Sequence, residues 1–268
     1  MKTRVITGAI MAVTIIPIFV IGSWPLLILL GLFTLMATYE IYHLAYRDAP
    51  DYIALGTNLA FGLGMYISLV MYLKGDIGIV TPLSTIILSG LVYIYYYAGL
   101  RQSMKLNLMA SLYPSIGFAT LYAFRDASLA LVGYVFLITI ATDVFAYFVG
   151  INFGKHKLAP TISPKKSIEG SIGGTSIALV LTIIYILVAD IDMILSIETS
   201  FFVLLVLTIL ISVLGQIGDL VASYVKRQYE TKDFSNLFPG HGGVMDRFDS
   251  VLFVGIVILL ISEVVKLV

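Results

Sequence analysis

Four aspartates occupy positions where a carboxylate is costly. Asp143 and Asp219 lie within long apolar stretches, and Asp246 and Asp249 open another. An ionised carboxylate at mid-bilayer costs roughly 2.5–3.5 kcal/mol on insertion scales, and less towards the surface. Ser212, Gln216, Asp219, Ser223 and Lys226 follow one another at spacings of four, three, four and three, which puts all five on one helix face. A stripe of this kind, ending in Lys226-Arg227, must face protein, a cavity or an ion rather than lipid. Ser212, Gln216 and Ser223 alone would serve equally as hydrogen-bonded contacts between helices. Asp219 is different, because such contacts need no ionised group. Glu40 has only Tyr42 and His43 as polar company, and Glu263 lies close enough to a span end to snorkel. Neither is given a role.

Two polar segments could meet these acids. The segment KHKLAPTISPKKSIEGSIGG, residues 155–174, combines Lys155, Lys157, Lys165 and Lys166 with Ser163, Ser167, Ser171 and glycines. Lysine ammonium groups and exposed backbone N–H groups are phosphate donors. The same lysines would also orient the chain and attract anionic lipid. A P-loop does not explain the segment: Gly150-Ile-Asn-Phe-Gly154-Lys155-His156 has one residue too few between the glycines and no Ser or Thr after the lysine. The second segment contains Pro239-Gly240-His241-Gly242-Gly243, which defeats helix and strand alike and must turn. Asp246, Arg247 and Asp249 follow, the two acids three apart and on one face if helical. Carboxylates and lysines mixed at a membrane surface suit a divalent ion carrying phosphates, and Mg²⁺ takes one or two carboxylates plus phosphate oxygens and water. A zinc site is not expected, since His43, His156 and His241 are isolated and there is no cysteine. His241 reads equally well as a solvated or capping histidine.

The elements that position these residues are membrane helices. The chain is 59% hydrophobic and 12% charged, with a mean hydropathy of +1.01. A globular domain carries about 25% charged residues, so a soluble fold of this length could not cover its surface. The apolar residues fall into blocks of roughly 20, enough to cross about 30 Å of hydrocarbon. The fold expected is all-α and polytopic, with nine spans near 5–22, 25–45, 52–73, 77–99, 106–124, 129–151, 172–189, 199–225 and 251–268. The fifth is interrupted by Asn107, Pro114 and Gly117, and the eighth is longer than a bilayer needs. Lys2 and Arg4 before the first block imitate a secretory signal, but a second block follows at once, and the first is read as a retained span.

With the N-terminus cytoplasmic, thirteen Lys and Arg residues fall in inner segments, and only Lys74, Arg125 and Lys266 outside. Asp190, Asp192 and Glu198, with no basic neighbour, then lie outside. The expected organisation is five spans in 1–125, then a catalytic membrane region, 126–268. Only the inner loops 152–171 and 226–250 are long, so function is expected there, at the cytoplasmic face.

The segment Ser223-Tyr-Val-Lys226-Arg227, then Lys232-Asp233, then Pro239-Gly240-His241-Gly242-Gly243-Val-Met-Asp246-Arg247-Phe-Asp249, resembles the hallmark of the phosphatidate cytidylyltransferases, or CDP-diacylglycerol synthases. Asp143, Ala146-Tyr147, Gly150, Phe153-Gly154-Lys155, Ser163-Pro164-Lys165-Lys166-Ser167 and Glu169-Gly170 are similar to the family as well. The first five spans match it only as apolar sequence of the right length. The resemblance implies transfer of CMP from CTP to phosphatidic acid, with Mg²⁺ and room for a second cation. It implies Asp219 and Asp246 as leading metal ligands, with Asp143 and Asp249 after them. Asp219, Asp246 and Lys226 become the catalytic set. Lys155, Lys166, Ser223, Arg227, His241 and Arg247 become the substrate-binding set. A homodimer in the inner cell membrane is implied too, and no nucleic acid is. Another CTP-using lipid enzyme, a polyprenol-type kinase or an ether-lipid cytidylyltransferase, is the near alternative. An ion-coupled transporter is the distant one, since no outer polar counterpart and no inverted repeat accompanies Asp143 and Asp219.

Overall fold

In hydrocarbon a backbone must satisfy its own N–H and C=O groups, which a helix does within one segment. The computed structural model describes residues 2–97, 101–189, 193–194, 197–198 and 200–267 and follows that rule. Among the described residues there are nine α-helices: α1 (Lys2–Ile21), α2 (Ser23–Ala45), α3 (Tyr52–Leu73), α4 (Val80–Tyr97), α5 (Arg101–Ala127), α6 (Leu129–Phe153), α7 (Ile168–Ala189), α8 (Phe201–Gln228) and α9 (Val244–Leu267). Six are long and apolar enough to cross a membrane: α2, α3, α6, α7, α8 and the Val244–Val265 part of α9. The apolar parts of α1 and α4 are shorter, Ile6–Ile21 and Val80–Tyr95. The chain is thus a multi-pass helical membrane protein.

Three expectations change in detail. Two small antiparallel hairpins interrupt the all-helical pattern, β1 (Lys157–Ala159) with β2 (Ser163–Ser167), and β3 (Met193–Ile194) with β4 (Ile197–Glu198). The expected inner loops are shorter than drawn, because α7 opens at Ile168 and α9 at Val244. Helix α5 is not broken at Pro114 but runs through it for 27 residues. Its Asn107 is buried and satisfied: its amide group donates to Tyr46 Oη at 2.8 Å, and its Oδ1 accepts from Asn58 Nδ2 at 2.7 Å. A buried amide with partners on α3 and at the C-terminal end of α2 holds a span together rather than ending it. Asp190 and Asp192, and the expected span ends at Gly99, Thr199 and Val268, lie outside the described residues.

The chain forms two compact units. The first comprises Met1–Asp126 and Thr231–Phe248. Here α2 packs on α3 and α3 on α4, and Tyr66 on α3 donates its hydroxyl to the Leu27 carbonyl at 2.9 Å. Arg125, at the end of α5, donates to the carbonyls of Phe19 and Val20 at 2.5 and 2.6 Å. Those carbonyls lie in the last turn of α1, where a side-chain donor can serve the helix end. Phe248, in the second turn of α9, packs between Phe33 and Phe118, with ring centroids 5.4 Å from each.

The second unit comprises Ala127–Glu230 and Asp249–Val268. Its tightest pair is α6 with α7. Gly170 and Gly174, four apart on α7, meet Ala146 and Thr142 on α6. A Cβ on Gly170 would stand 2.6 Å from the Ala146 carbonyl oxygen, and one on Gly174 2.6 Å from that of Thr142. Small residues four apart let two membrane helices approach to backbone contact. Helix α8 joins them through hydroxyls: Ser212 Oγ lies 2.8 Å from both Thr142 Oγ1 and Thr175 Oγ1, and Gln216 Nε2 donates to Thr175 at 3.1 Å. The upper part of the α8 stripe is therefore interhelical glue, and the lower part is left for chemistry.

Candidate active site

The lower stripe centres on Asp219, half-buried on α8. Lys166, on β2, places its Nζ 2.5 Å from Asp219 Oδ2. Ser223, one turn further along α8, donates to Asp219 Oδ1 at 3.3 Å. Lys226, buried in the last turn of α8, acts electrostatically on Asp249, and Asp219 acts on both Asp143 and Asp249. Asp249 is buried and accepts from the Ser250 amide at 2.8 Å, with the Ser250 hydroxyl 3.5 Å from the same oxygen. Three aspartates from α6, α8 and α9 thus share one field with two lysines from β2 and α8.

The β1–β2 hairpin delivers Lys166, and its local sequence explains its shape. Ser167 caps α7, its Oγ accepting from the Gly170 amide at 3.1 Å. Glu169, in the first turn of α7, accepts from the backbone N–H of Lys155 and of His156 at 3.1 Å each, and lies 2.6 Å from His156 Nδ1. A carboxylate is favoured at a helix N-terminus, and this one ties the start of the hairpin to its end. Of the backbone N–H groups that the segment offers as phosphate donors, those of Lys155 and His156 are engaged by Glu169. The Lys155 and Arg227 residues are exposed.

Asp246, His241 and Arg247 belong to the first compact unit. The turn at 239–243 is closed by Phe238 N–H donating to Gly242 O and His241 N–H to Phe238 O, both at 2.8 Å. Gly240 and Gly242 have φ of +79°, which only glycine adopts without strain. Asp246 Oδ2 accepts from the Gly243 amide at 2.9 Å and from the Phe234 amide at 2.8 Å. This is the acidic half of a capping box at the start of α9. Asp246 therefore shapes the turn with one of its oxygens. Arg247 is exposed, and His241 is half-buried, its ring beside Gly8 of α1.

Sequence reasoning passed over Glu40. It is 3% exposed, and among the described residues its carboxylate bonds to the 231–248 segment. Oε1 accepts from Ser235 Oγ at 2.7 Å and from the Val244 amide at 2.9 Å, and Oε2 accepts from the Met245 amide at 2.9 Å. The signal was present, since a carboxylate inside a membrane span requires a partner. One sequence does not say where that partner is.

The donor set suits a hard cation. Among the described residues no three His, Asp or Glu side chains are spaced as a ready metal cage. Mg²⁺ does not need one, because it keeps several waters and binds through one or two carboxylates plus substrate phosphates. Asp143, Asp219 and Asp249 offer such carboxylates.

Comparison with known proteins gives the class. A family model described as the cytidylyltransferase family matches residues 2–265, and the chain belongs to that family. Its relatives include the phosphatidate cytidylyltransferases of Staphylococcus haemolyticus (strain JCSC1435), 33% identical over 259 residues, and of Staphylococcus aureus (strain COL), 34% over 261; each match covers 95% of this chain and 96% of the relative. The phosphatidate cytidylyltransferase of Bacillus subtilis (strain 168) is 33% identical over 262 residues, covering 95% of this chain and 94% of the relative.

Proposed function

We propose that this chain transfers CMP from CTP to phosphatidic acid, giving CDP-diacylglycerol and pyrophosphate. The observation that carries the reading is the aspartate–lysine cluster of Asp143, Asp219, Asp249, Lys166 and Lys226, within a chain whose family match runs end to end. A phosphate oxygen of the lipid attacks the α-phosphorus of CTP. The new P–O bond forms as the bond to the β-phosphate oxygen breaks, and pyrophosphate departs with that electron pair. The lipid phosphate is already anionic near neutral pH, so no general base is required. The work of the protein is positioning and charge neutralisation.

In this scheme Lys166, Lys226 and Arg227 meet phosphate charge, and Ser223 orients Asp219. Arg247, His241 and Lys155 are proposed substrate contacts. Asp143, Asp219 and Asp249, together with Asp246, are the proposed holders of Mg²⁺, with room for a second cation. A bound divalent ion would supply charge neutralisation at the phosphates. Lys166, which now faces Asp219, then exchanges that carboxylate for a nucleotide phosphate.

We place the site at the cytoplasmic face of the inner membrane, with nine crossings, the N-terminus inside and a homodimer as the assembly. The charge asymmetry of the loops supports the orientation, and CTP is a cytosolic substrate. The test is purified protein in phosphatidic acid vesicles with CTP and Mg²⁺. Pyrophosphate release that depends on phosphatidic acid is expected. Formation of CDP together with a phosphorylated lipid would make the protein a kinase instead.

A further inference from the structure

We infer that Glu40 is a positioning residue for the reaction proposed above: it holds the 231–248 segment and the first turn of α9 in the register that the site requires. Its carboxylate comes from α2, yet its partners lie 195 to 205 residues away in sequence. The Val244 and Met245 amides open α9, and α9 leaves such groups without partners in its own helix. Glu40 satisfies one with each oxygen, and the Ser235 hydroxyl ties the preceding loop to the same carboxylate. The neighbouring glycine is part of the arrangement, because a Cβ on Gly243 would overlap the Glu40 carboxylate. Asp246, one turn into the helix, then closes on Gly243 and Phe234. Glu40 therefore fixes the backbone on which Asp246 and Arg247 are carried, without itself being placed among the phosphate-binding groups. A helix of this apolarity needs no charge to stay in the membrane, and Phe33 and Phe118 already pack on Phe248. What the carboxylate adds is a fixed rotation and depth for the first turn.

The inference rests on the functional reading, so wild-type enzyme is the first arm. Absence of CMP transfer there would sink that reading, whereas an active wild type with unaffected variants would sink only the role of Glu40. Glu40→Gln, Glu40→Ala and Gly243→Ala are purified in detergent, checked for monodispersity, and assayed per folded molecule. Hydrogen exchange is followed at the 238–248 peptide. The expected result is a kcat at least tenfold lower for Glu40→Ala and Gly243→Ala. The KM for CTP should change less than kcat does, because Lys166 and Lys226, which meet the phosphates, lie outside the loosened segment. Glu40→Gln, which keeps one accepting oxygen, should fall between them and wild type. Exchange at 238–248 should quicken in the same order. Wild-type kcat per folded molecule in Glu40→Ala or Gly243→Ala would overturn the inference. Failure of both to fold would also overturn it, by assigning Glu40 to stability alone.

Discussion

Lys166 and Asp219 form an ion pair of 2.5 Å between a β-hairpin and a membrane helix, with 24% and 27% of their side chains exposed. Exposed ion pairs contribute little to stability, and partial exposure discounts this one too. Its interest is chemical. It stores a cation beside a carboxylate that would otherwise repel Asp143 and Asp249, and holds both for a polyphosphate substrate.

Lys166→Ala and Asp219→Asn should each lower kcat by about 10²-fold or more, the size expected when a charge-stabilising group is lost, while both proteins still express and fold. The double variant should lose far less than the product of the two, since paired groups are not additive. Steady-state kinetics on the four proteins measures this. Near-normal activity of Asp219→Asn at saturating Mg²⁺ would remove Asp219 from the site.

The α6–α7 contact should tolerate no added carbon. Gly174→Ala puts a Cβ 2.6 Å from the Thr142 carbonyl and 2.8 Å from the Ala146 amide, both backbone atoms. A loss of about 1–3 kcal/mol is expected from the overpacking. Gly64→Ala on α3, where nothing lies within 4 Å of the new carbon, should be neutral or slightly stabilising, because alanine is the better helix former by up to about 1 kcal/mol. Thermal unfolding in detergent compares the two.

Glu169→Ala should slow the enzyme without much change in melting temperature. The residue clamps the Lys155 and His156 amides and so steadies the hairpin that presents Lys166. A loss of roughly tenfold in kcat/KM is expected from a loosened hairpin. A change in melting temperature proportionate to the activity loss would make Glu169 a folding residue only.

The chain has no cysteine, so one introduced thiol is unique and reports its own side of the membrane. Lys157→Cys, on the exposed hairpin, should react with an impermeant maleimide only in inside-out vesicles. Lys74→Cys, after α3, should react only in right-side-out vesicles. The reverse pattern would contradict a cytoplasmic site.

The sequence made some of this legible and hid the rest for physical reasons. Asp219, Ser223 and Lys226 could be grouped because helical spacing alone puts them on one face, and Ser223 does bond Asp219. The upper stripe, Ser212 and Gln216, could be read as glue or site, and its partners Thr142 and Thr175 decide for glue. Asn107 and Pro114 suggested a break in the fifth span. Tertiary hydrogen bonds to Asn58 and Tyr46 overrode that local signal. Glu40 was visible as an oddity but not as a cap, because its partners are about 200 residues distant. The loop 155–167 carried its lysines openly. That Glu169 folds it back into a hairpin depends on a helix start that polar residues alone did not fix.

Cytidylyl transfer and phosphoryl transfer differ in the bond of CTP that breaks. The most direct test supplies the enzyme with phosphatidic acid vesicles, Mg²⁺ and CTP labelled at the α-phosphate in one arm and at the γ-phosphate in the other. The expected result is α-label in the lipid and γ-label in pyrophosphate, in equal amounts and only when phosphatidic acid is present. Transfer of γ-label to lipid, with α-label recovered as CDP, would contradict it.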